Sequence, residues 1–191
     1  MKYFFQVSLT SYTVTILIYA LWSYITFQEL DQGWIGSIAY LPHGCRVIFY
    51  CFFGFRALPA LYLAEITGPT LVYGDQYLDF WPIASLSSLL SVVIAVELIK
   101  WSRLTTFNYS ILKKINFSNY KFLFLVIVIS ALFNAIFTNL LLGLLNNIDI
   151  NVIVVFRFFI GDIIGSVMII SWLMIVFNLL RDRKFYPVHR N

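Results

Sequence analysis

The fold is decided by the stretch from Tyr40 to Gly74, YLPHGCRVIFYCFFGFRALPALYLAEITGPTLVYG. It is apolar and long enough to cross a bilayer twice, since about 20 helical residues make one crossing. It also contains prolines, glycines and charged residues: Pro42, Pro59, Pro69, Gly44, Gly54, Gly68, Arg46, Arg56 and Glu65. Broken backbone and ionised side chains persist at membrane depth only where they face protein or water. The pattern therefore predicts the interior of a membrane bundle, with a broken or re-entrant helix pair.

The composition of the whole chain is typical of a membrane protein. Of 191 residues, 61% are hydrophobic and 12% are charged, with a mean hydropathy of +0.85. Soluble domains carry about 25% charged residues, so these charges are too few to cover a soluble surface. Cys45 and Cys51 stand in an apolar run and match no metal-ligand spacing. We expect packing thiols, no metal, no cofactor and no nucleic-acid partner.

The sequence predicts an all-α integral membrane protein with six transmembrane helices and both termini cytoplasmic. The predicted spans are approximately 4–27, 34–55, 57–73, 81–99, 122–142 and 152–180, with a basic loop at 100–121 and a basic tail at 181–191. The loop and terminal Lys and Arg residues then all fall on one side, which marks the cytoplasm. The acidic loop residues all fall on the other side: Glu29, Asp31, Asp75, Asp79 and Asp149. The expected location is a bacterial inner membrane.

Four ionisable residues lie in the interior of this arrangement: Arg46, Glu65, Arg157 and Asp162. Arg46 and Glu65 stand at similar distances from the turn at Arg56, which places them at similar depth on adjacent spans. One interpretation is a polar site or proton path between spans two, three and six. The other is a pair of structural salt bridges that fix helix packing.

Other residues define helix faces and breaks. Ser130, Asn134 and Thr138 recur at steps of four, which puts them on one face and predicts interhelical hydrogen bonds. Gly161 and Gly165 have the small-residue spacing that lets transmembrane helices approach closely.

The prolines have two interpretations. Pro42, with His43 and Gly44, is expected to open the backbone near the outer surface, like the discontinuous helices of transporters. The alternative is that Pro42, Pro59 and Pro69 lie at span ends and only shape turns, which is the role expected of Pro59. Pro69, together with Gly68, is expected to interrupt the third span.

These motifs resemble a known family. Leu41-Pro42-His43-Gly44, Gly54-Phe55-Arg56-Ala57-Leu58-Pro59 and Gly161-Asp162-Ile163-Ile164-Gly165 are similar in order and spacing to the first-described class of MASE-type membrane-associated sensor domains of bacteria. The resemblance implies an inner-membrane module that feeds a ligand or partner signal to a cytoplasmic kinase or cyclic-dinucleotide enzyme. Because the chain ends eleven residues after Leu180, we expect no output domain in cis and an output through another polypeptide.

The resulting functional hypothesis is a stand-alone sensor-like or accessory module that binds a partner membrane protein or complex, surrounded by membrane lipids. We expect no enzymatic activity: His43, Cys45 and Arg46 are too close in sequence to form a thiol–base site, which usually draws its groups from separate helices. The alternative is the substrate-binding membrane component of a transporter for a small molecule. The residues expected to bind the ligand or partner, or to form a buried polar network, are Pro42, His43, Gly44, Arg46, Arg56, Glu65, Arg157 and Asp162.

Overall fold

The structure, a computed structural model, describes residues 2–26, 37–73, 79–102, 120–147 and 149–184. All regular structure in these ranges is helical, which confirms the predicted all-α class. The helices are α1 (Lys2–Ile25), α2 (Leu41–Phe53), α3 (Leu58–Tyr73), α4 (Trp81–Trp101), α5 (Tyr120–Asn146) and α6 (Val152–Lys184). Several predicted features lie outside the described residues: Glu29, Asp31, Asp75, most of the basic loop and the end of the basic tail.

Four helices, α1, α4, α5 and α6, are long and apolar enough to cross a membrane. The apolar character expected of a membrane protein is therefore confirmed. The other two helices are shorter, with 13 residues in α2 and 16 in α3. At 1.5 Å per residue they measure about 20 and about 24 Å, against a hydrocarbon core of about 30 Å. Six crossings thus remain a prediction.

The break between α2 and α3 is a single 3-10 turn, Gly54–Arg56. Gly54 has φ 60°, a left-handed conformation that glycine adopts without steric cost, and it ends α2. At this end of the protein the Arg56 guanidinium lies 5.3 Å from the centre of the Tyr3 ring at the start of α1. At the opposite end, Trp81 at the start of α4 clusters with Leu142 near the end of α5. Successive helices therefore alternate in direction.

The expectation of an open backbone at Pro42, His43 and Gly44 is wrong. Pro42 lies in the first turn of α2, and the two residues after it are helical. Proline is well tolerated there because the N–H of a first-turn residue has no acceptor within the helix. Pro59 occupies the equivalent place in α3. These prolines start helices rather than break them.

The expected interruption at Pro69 is also wrong, since α3 continues to Tyr73. Proline has no N–H, so Pro69 leaves the carbonyl of Glu65, four residues earlier, without its helical donor. The indole Nε1 of Trp81 on α4 donates to this carbonyl at 2.7 Å. A side chain from the neighbouring helix thus replaces the missing backbone hydrogen bond.

Gly161 and Gly165 provide close packing, but their partner is not a helix. A Cβ at Gly161 would overlap the carbonyl oxygen of Ser37, and one at Gly165 would overlap the carbonyl oxygen of Tyr40. The N–H of Tyr40 donates to the carbonyl of Gly161 at 2.9 Å. The segment that leads into α2 therefore lies directly on α6. Gly44 continues the contact, since its Cβ position is 3.0 Å from the Cα of Ser166.

Helix α2 is central to the apolar core. Cys45 and Phe49 belong to a cluster with residues of α1, α3, α4 and α6. Val47 and Tyr50 belong to a second cluster, with residues of α4 and α5. Because α2 contributes to both clusters, the polar side chains that it carries are enclosed on every side.

Candidate functional site

A group of polar side chains in the interior reaches all six helices and is termed the polar cluster. It consists of Tyr19 on α1, Tyr40 before α2, His43 and Arg46 on α2, Glu65 on α3, Ser88 on α4, Ser130, Asn134 and Thr138 on α5, and Asp162 on α6. All of these except Tyr40 are at most 3% exposed. Burying a polar group is costly unless it is hydrogen-bonded. The hydrogen-bond partners therefore determine what the cluster can do.

Arg46 and Glu65 form the ion pair that one of the two interpretations anticipated. The Nε of Arg46 lies 2.6 Å from Oε1 of Glu65, and Nη2 lies 2.9 Å from Oε2. Two parallel N–H···O bonds make this a fork, the strongest arrangement of a guanidinium and a carboxylate. The pair connects α2 to α3.

The other donors of Arg46 are also occupied. Nη1 donates to Oγ of Ser88 and lies 3.4 Å from Nδ1 of His43, and Nη2 donates to the Tyr40 hydroxyl at 3.1 Å. A guanidinium has five N–H donors, and these contacts together with the fork use all of them. Arg46 has no donor left for an anionic ligand. The arginine therefore acts as a structural centre.

Two tyrosines close a ring of hydrogen bonds around this pair. The Tyr19 hydroxyl donates to Oε2 of Glu65 at 2.8 Å. It therefore accepts from the Tyr40 hydroxyl, 2.5 Å away, because it has a single hydrogen. The path runs from Arg46 through both tyrosines to Glu65. Helix α1 is thereby connected to the ion pair.

His43 connects the ion pair to α5. Its Nε2 lies 3.0 Å from Oγ of Ser130, whose own hydroxyl donates to the carbonyl of Ile127 at 3.2 Å. Since that hydroxyl has one hydrogen, Nε2 of His43 is the donor. The other ring nitrogen, Nδ1, faces Arg46 and also lies 3.6 Å from Oδ2 of Asp162.

Asp162 connects α6 to α5. Its Oδ2 accepts from Nδ2 of Asn134 at 2.6 Å, and Thr138 donates to Oδ1 of Asn134 at 2.8 Å, which fixes the orientation of the amide. Among the described residues, Oδ1 of Asp162 has no hydrogen-bond partner. The hydroxyl of Ser166, one turn along α6, is also buried without a partner there. The cluster thus contains one unused acceptor on a fully buried carboxyl group.

The structure brings together four of the eight expected site residues: His43, Arg46, Glu65 and Asp162. Of the others, Pro42 and Gly44 are buried in the first turns of α2, and Arg56 is exposed at the turn after it. Arg157 is half-buried on α6, five residues before Asp162. At about 100° per residue these two point about 140° apart around the helix, so they do not share a face.

Sequence reasoning missed Tyr19, Tyr40 and Ser88 as members of the cluster. Tyr19 is one of 12 tyrosines in the chain, and nothing in the local pattern distinguishes it. Ser88 belongs to a serine-rich run in α4, and this was the one available signal. Partner residues of this kind are identified by distance in space and not by spacing in sequence.

The chemistry of the cluster is that of an acid–imidazole pair beside a saturated ion pair. In the described ranges, no group of three or more His, Cys, Asp or Glu residues is arranged to hold a metal ion. No protein-family model, curated protein or solved structure matches this chain.

Proposed function

We propose that this protein is an integral membrane module that binds a partner membrane protein and transmits the state of its polar cluster to it, without a catalytic step of its own. The supporting observation is that each of the six described helices contributes at least one side chain to the polar cluster. A change at one group in a connected hydrogen-bond network affects the others. Here such a change would alter how the helices pack. A partner membrane protein bound to these helices would respond to the altered packing.

The proposed topology has six crossings, with both termini in the cytoplasm of a bacterium and the chain in the inner membrane. The one-sided distribution of Lys and Arg supports it. The contact of Arg56 with Tyr3 agrees, because it brings the turn after α2 to the same end as the start of α1. Residues 37–40, packed on α6, add length to the short second crossing. The motif resemblance to MASE-type domains favours a sensory role.

The outer faces of α1 and α6 suit lipid or a protein partner. They carry large apolar side chains that are more than half exposed: Phe5, Leu17, Ile175 and Leu179. Such side chains are favourable in contact with acyl chains or with another transmembrane helix. The partner therefore docks on these outer faces of α1 and α6.

Purification of the tagged full chain in native-lipid particles, followed by crosslinking and mass spectrometry, tests this function. We expect one membrane protein to co-purify in a fixed ratio, and its recovery to fall in Asp162→Asn but not in Glu97→Gln. Glu97 is the matched control because it pairs with Lys100 near the end of α4, outside the cluster. Recovery of the chain alone, or equal recovery in both variants, would contradict the proposal.

The second candidate, a substrate-binding component of a transporter, is favoured by the unused acceptor on Asp162. Because Arg46 is saturated, such a ligand would be a cation or a hydrogen-bond donor rather than an anion. A thermal-shift screen of small amines on the purified chain tests it. A compound that raises the melting temperature of wild type but not of Asp162→Asn would support this candidate. A screen without such a compound would leave partner binding as the better proposal.

A further inference from the structure

The imidazole of His43 donates no hydrogen bond to the carboxyl group of Asp162. Nε2 of His43 carries its hydrogen, because Ser130 uses its own hydroxyl hydrogen on the carbonyl of Ile127. In a neutral imidazole, Nδ1 then carries a lone pair. Nδ1 lies 3.6 Å from Oδ2 of Asp162. The Nδ1 lone pair accepts from Nη1 of Arg46 at 3.4 Å, so the imidazole supplies no hydrogen to the carboxyl group of Asp162.

The net charge of the polar cluster indicates that it holds one additional proton. Arg46 and Glu65 cancel each other in their fork. An ionised Asp162 beside a neutral His43 would leave one net negative charge on a residue that is 1% exposed. An unpaired buried charge is strongly disfavoured at membrane depth, and within the described ranges Oδ1 accepts no hydrogen bond that would compensate it. One additional proton makes the cluster neutral.

We propose that His43 and Asp162 form a proton-binding site that holds one exchangeable proton in the interior of the bundle. The proton resides on the Asp162 carboxyl group, since the Arg46 cation, 3.4 Å from Nδ1, opposes a second proton on the imidazole. Release of the proton leaves a negative charge at the junction of α2, α5 and α6. This assigns a ligand to the cluster and goes beyond partner binding.

The groups that face the pair come from every neighbouring element. Arg46 on α2 and Glu65 on α3 are the ionised groups that act on Asp162. The remaining members are the phenols Tyr19 and Tyr40, and the uncharged Ser88, Ser130 and Asn134. Arg157 lies on another face of α6. Among the residues of the polar cluster, His43 and Asp162 are therefore the pair at which the gain or loss of one proton changes the net charge.

Histidine NMR and infrared spectroscopy of the purified full chain in lipid nanodiscs test this inference without any partner. His43 and His189 are the two histidines of the chain, so His189→Gln leaves His43 as the single ¹⁵N-histidine signal. We expect a neutral ring with its hydrogen on Nε2, together with the carbonyl band of a protonated carboxyl group. That band is lost in Asp162→Asn and is retained in Glu97→Gln.

Raising the pH until the carboxyl band disappears should also shift the His43 ring signals, because ionisation of Asp162 puts a negative charge 3.6 Å from Nδ1 of His43. If Asp162→Asn does not fold, Asp162→Glu keeps the carboxyl group and assigns the band by moving it. A wild-type protein with a neutral His43 and no band that depends on position 162 would overturn the inference. A His43 signal that stays constant while the acid ionises would also overturn it.

Discussion

Replacing Arg46 by methionine is expected to destabilise the protein by about 3 to 5 kcal/mol, the cost of breaking a buried pair by removing one partner. The structure shows why the loss is large. Glu65 would keep only the 2.8 Å bond from Tyr19, while Ser88 and Tyr40 would lose their donor. Glu65→Met is expected to cost a similar amount, because it leaves the guanidinium of Arg46 buried without a counterion.

The double variant Arg46→Met, Glu65→Met is expected to cost much less than the sum of the two single changes. Two apolar side chains of similar length then fill the space, and such replacements of buried pairs are often nearly neutral. Since polar neighbours still lose partners, we expect a residual loss of about 2 kcal/mol. The coupling free energy should then exceed about 3 kcal/mol, more than a hundredfold in the unfolding equilibrium.

Reversible unfolding in mixed detergent micelles, followed by tryptophan fluorescence, measures these free energies. Trp22 is a suitable reporter, since its ring centre lies 5.1 Å from that of Tyr40 at the edge of the cluster. The matched control is the pair of Lys100 and Glu97, which has an N–O distance of 2.8 Å but side chains that are 17% and 33% exposed. Its coupling free energy should stay below about 1 kcal/mol, as for exposed pairs.

Additive single changes at Arg46 and Glu65 would refute this reasoning. So would a coupling free energy no larger than that of the control pair. Either result would mean that the two side chains are solvated or apart in the folded protein. The polar cluster would then contain no buried ion pair between Arg46 and Glu65.

Two further predictions use the same unfolding assay. Trp81→Phe removes the donor to the Glu65 carbonyl and should cost about 1 to 3 kcal/mol; Pro69→Ala restores a backbone N–H and should recover most of that loss, so a double variant as unstable as Trp81→Phe would contradict the replacement of the helical bond. Gly165→Ala places a methyl group against the segment that precedes α2 and should destabilise the protein more than Ile164→Ala, whose side chain is 38% exposed; equal losses would contradict the close approach.

Predictions from local sequence alone were wrong at two prolines, Pro42 and Pro69. Proline at position 69 was expected to end a helix because the local cost of a lost hydrogen bond is real. The compensating donor, Trp81, is twelve residues away in sequence and on another helix. Pro42 was expected to open the backbone, yet its position in the first turn of α2 removes that cost. The effect of each proline therefore depended on its position within the helix or on a side chain from a neighbouring helix.

The glycines and the site residues show the same limit. Spacing predicted that Gly161 and Gly165 permit close packing, but whether a helix or an extended segment fills the groove depends on the path of the chain before α2. Spacing also placed Ser130, Asn134 and Thr138 on one face, and the partners of that face came only from the structure. Asp162 shares a cluster with His43 rather than with Arg157 because the rotation around α6 separates Asp162 from Arg157.

The sequence by itself determined the helical class and the apolar character of this protein, because hydropathy and helical periodicity are local properties of consecutive residues. It also placed Arg46 and Glu65 at similar depth, since they lie on adjacent helices at similar distances from one turn. Only the tertiary structure decided that Arg46 is saturated and that an oxygen of Asp162 is left without a hydrogen bond in the described part of the chain. Hydrogen bonding is short-ranged and directional, so the state of a buried polar group depends on atoms that only folding brings within about 3 Å of it.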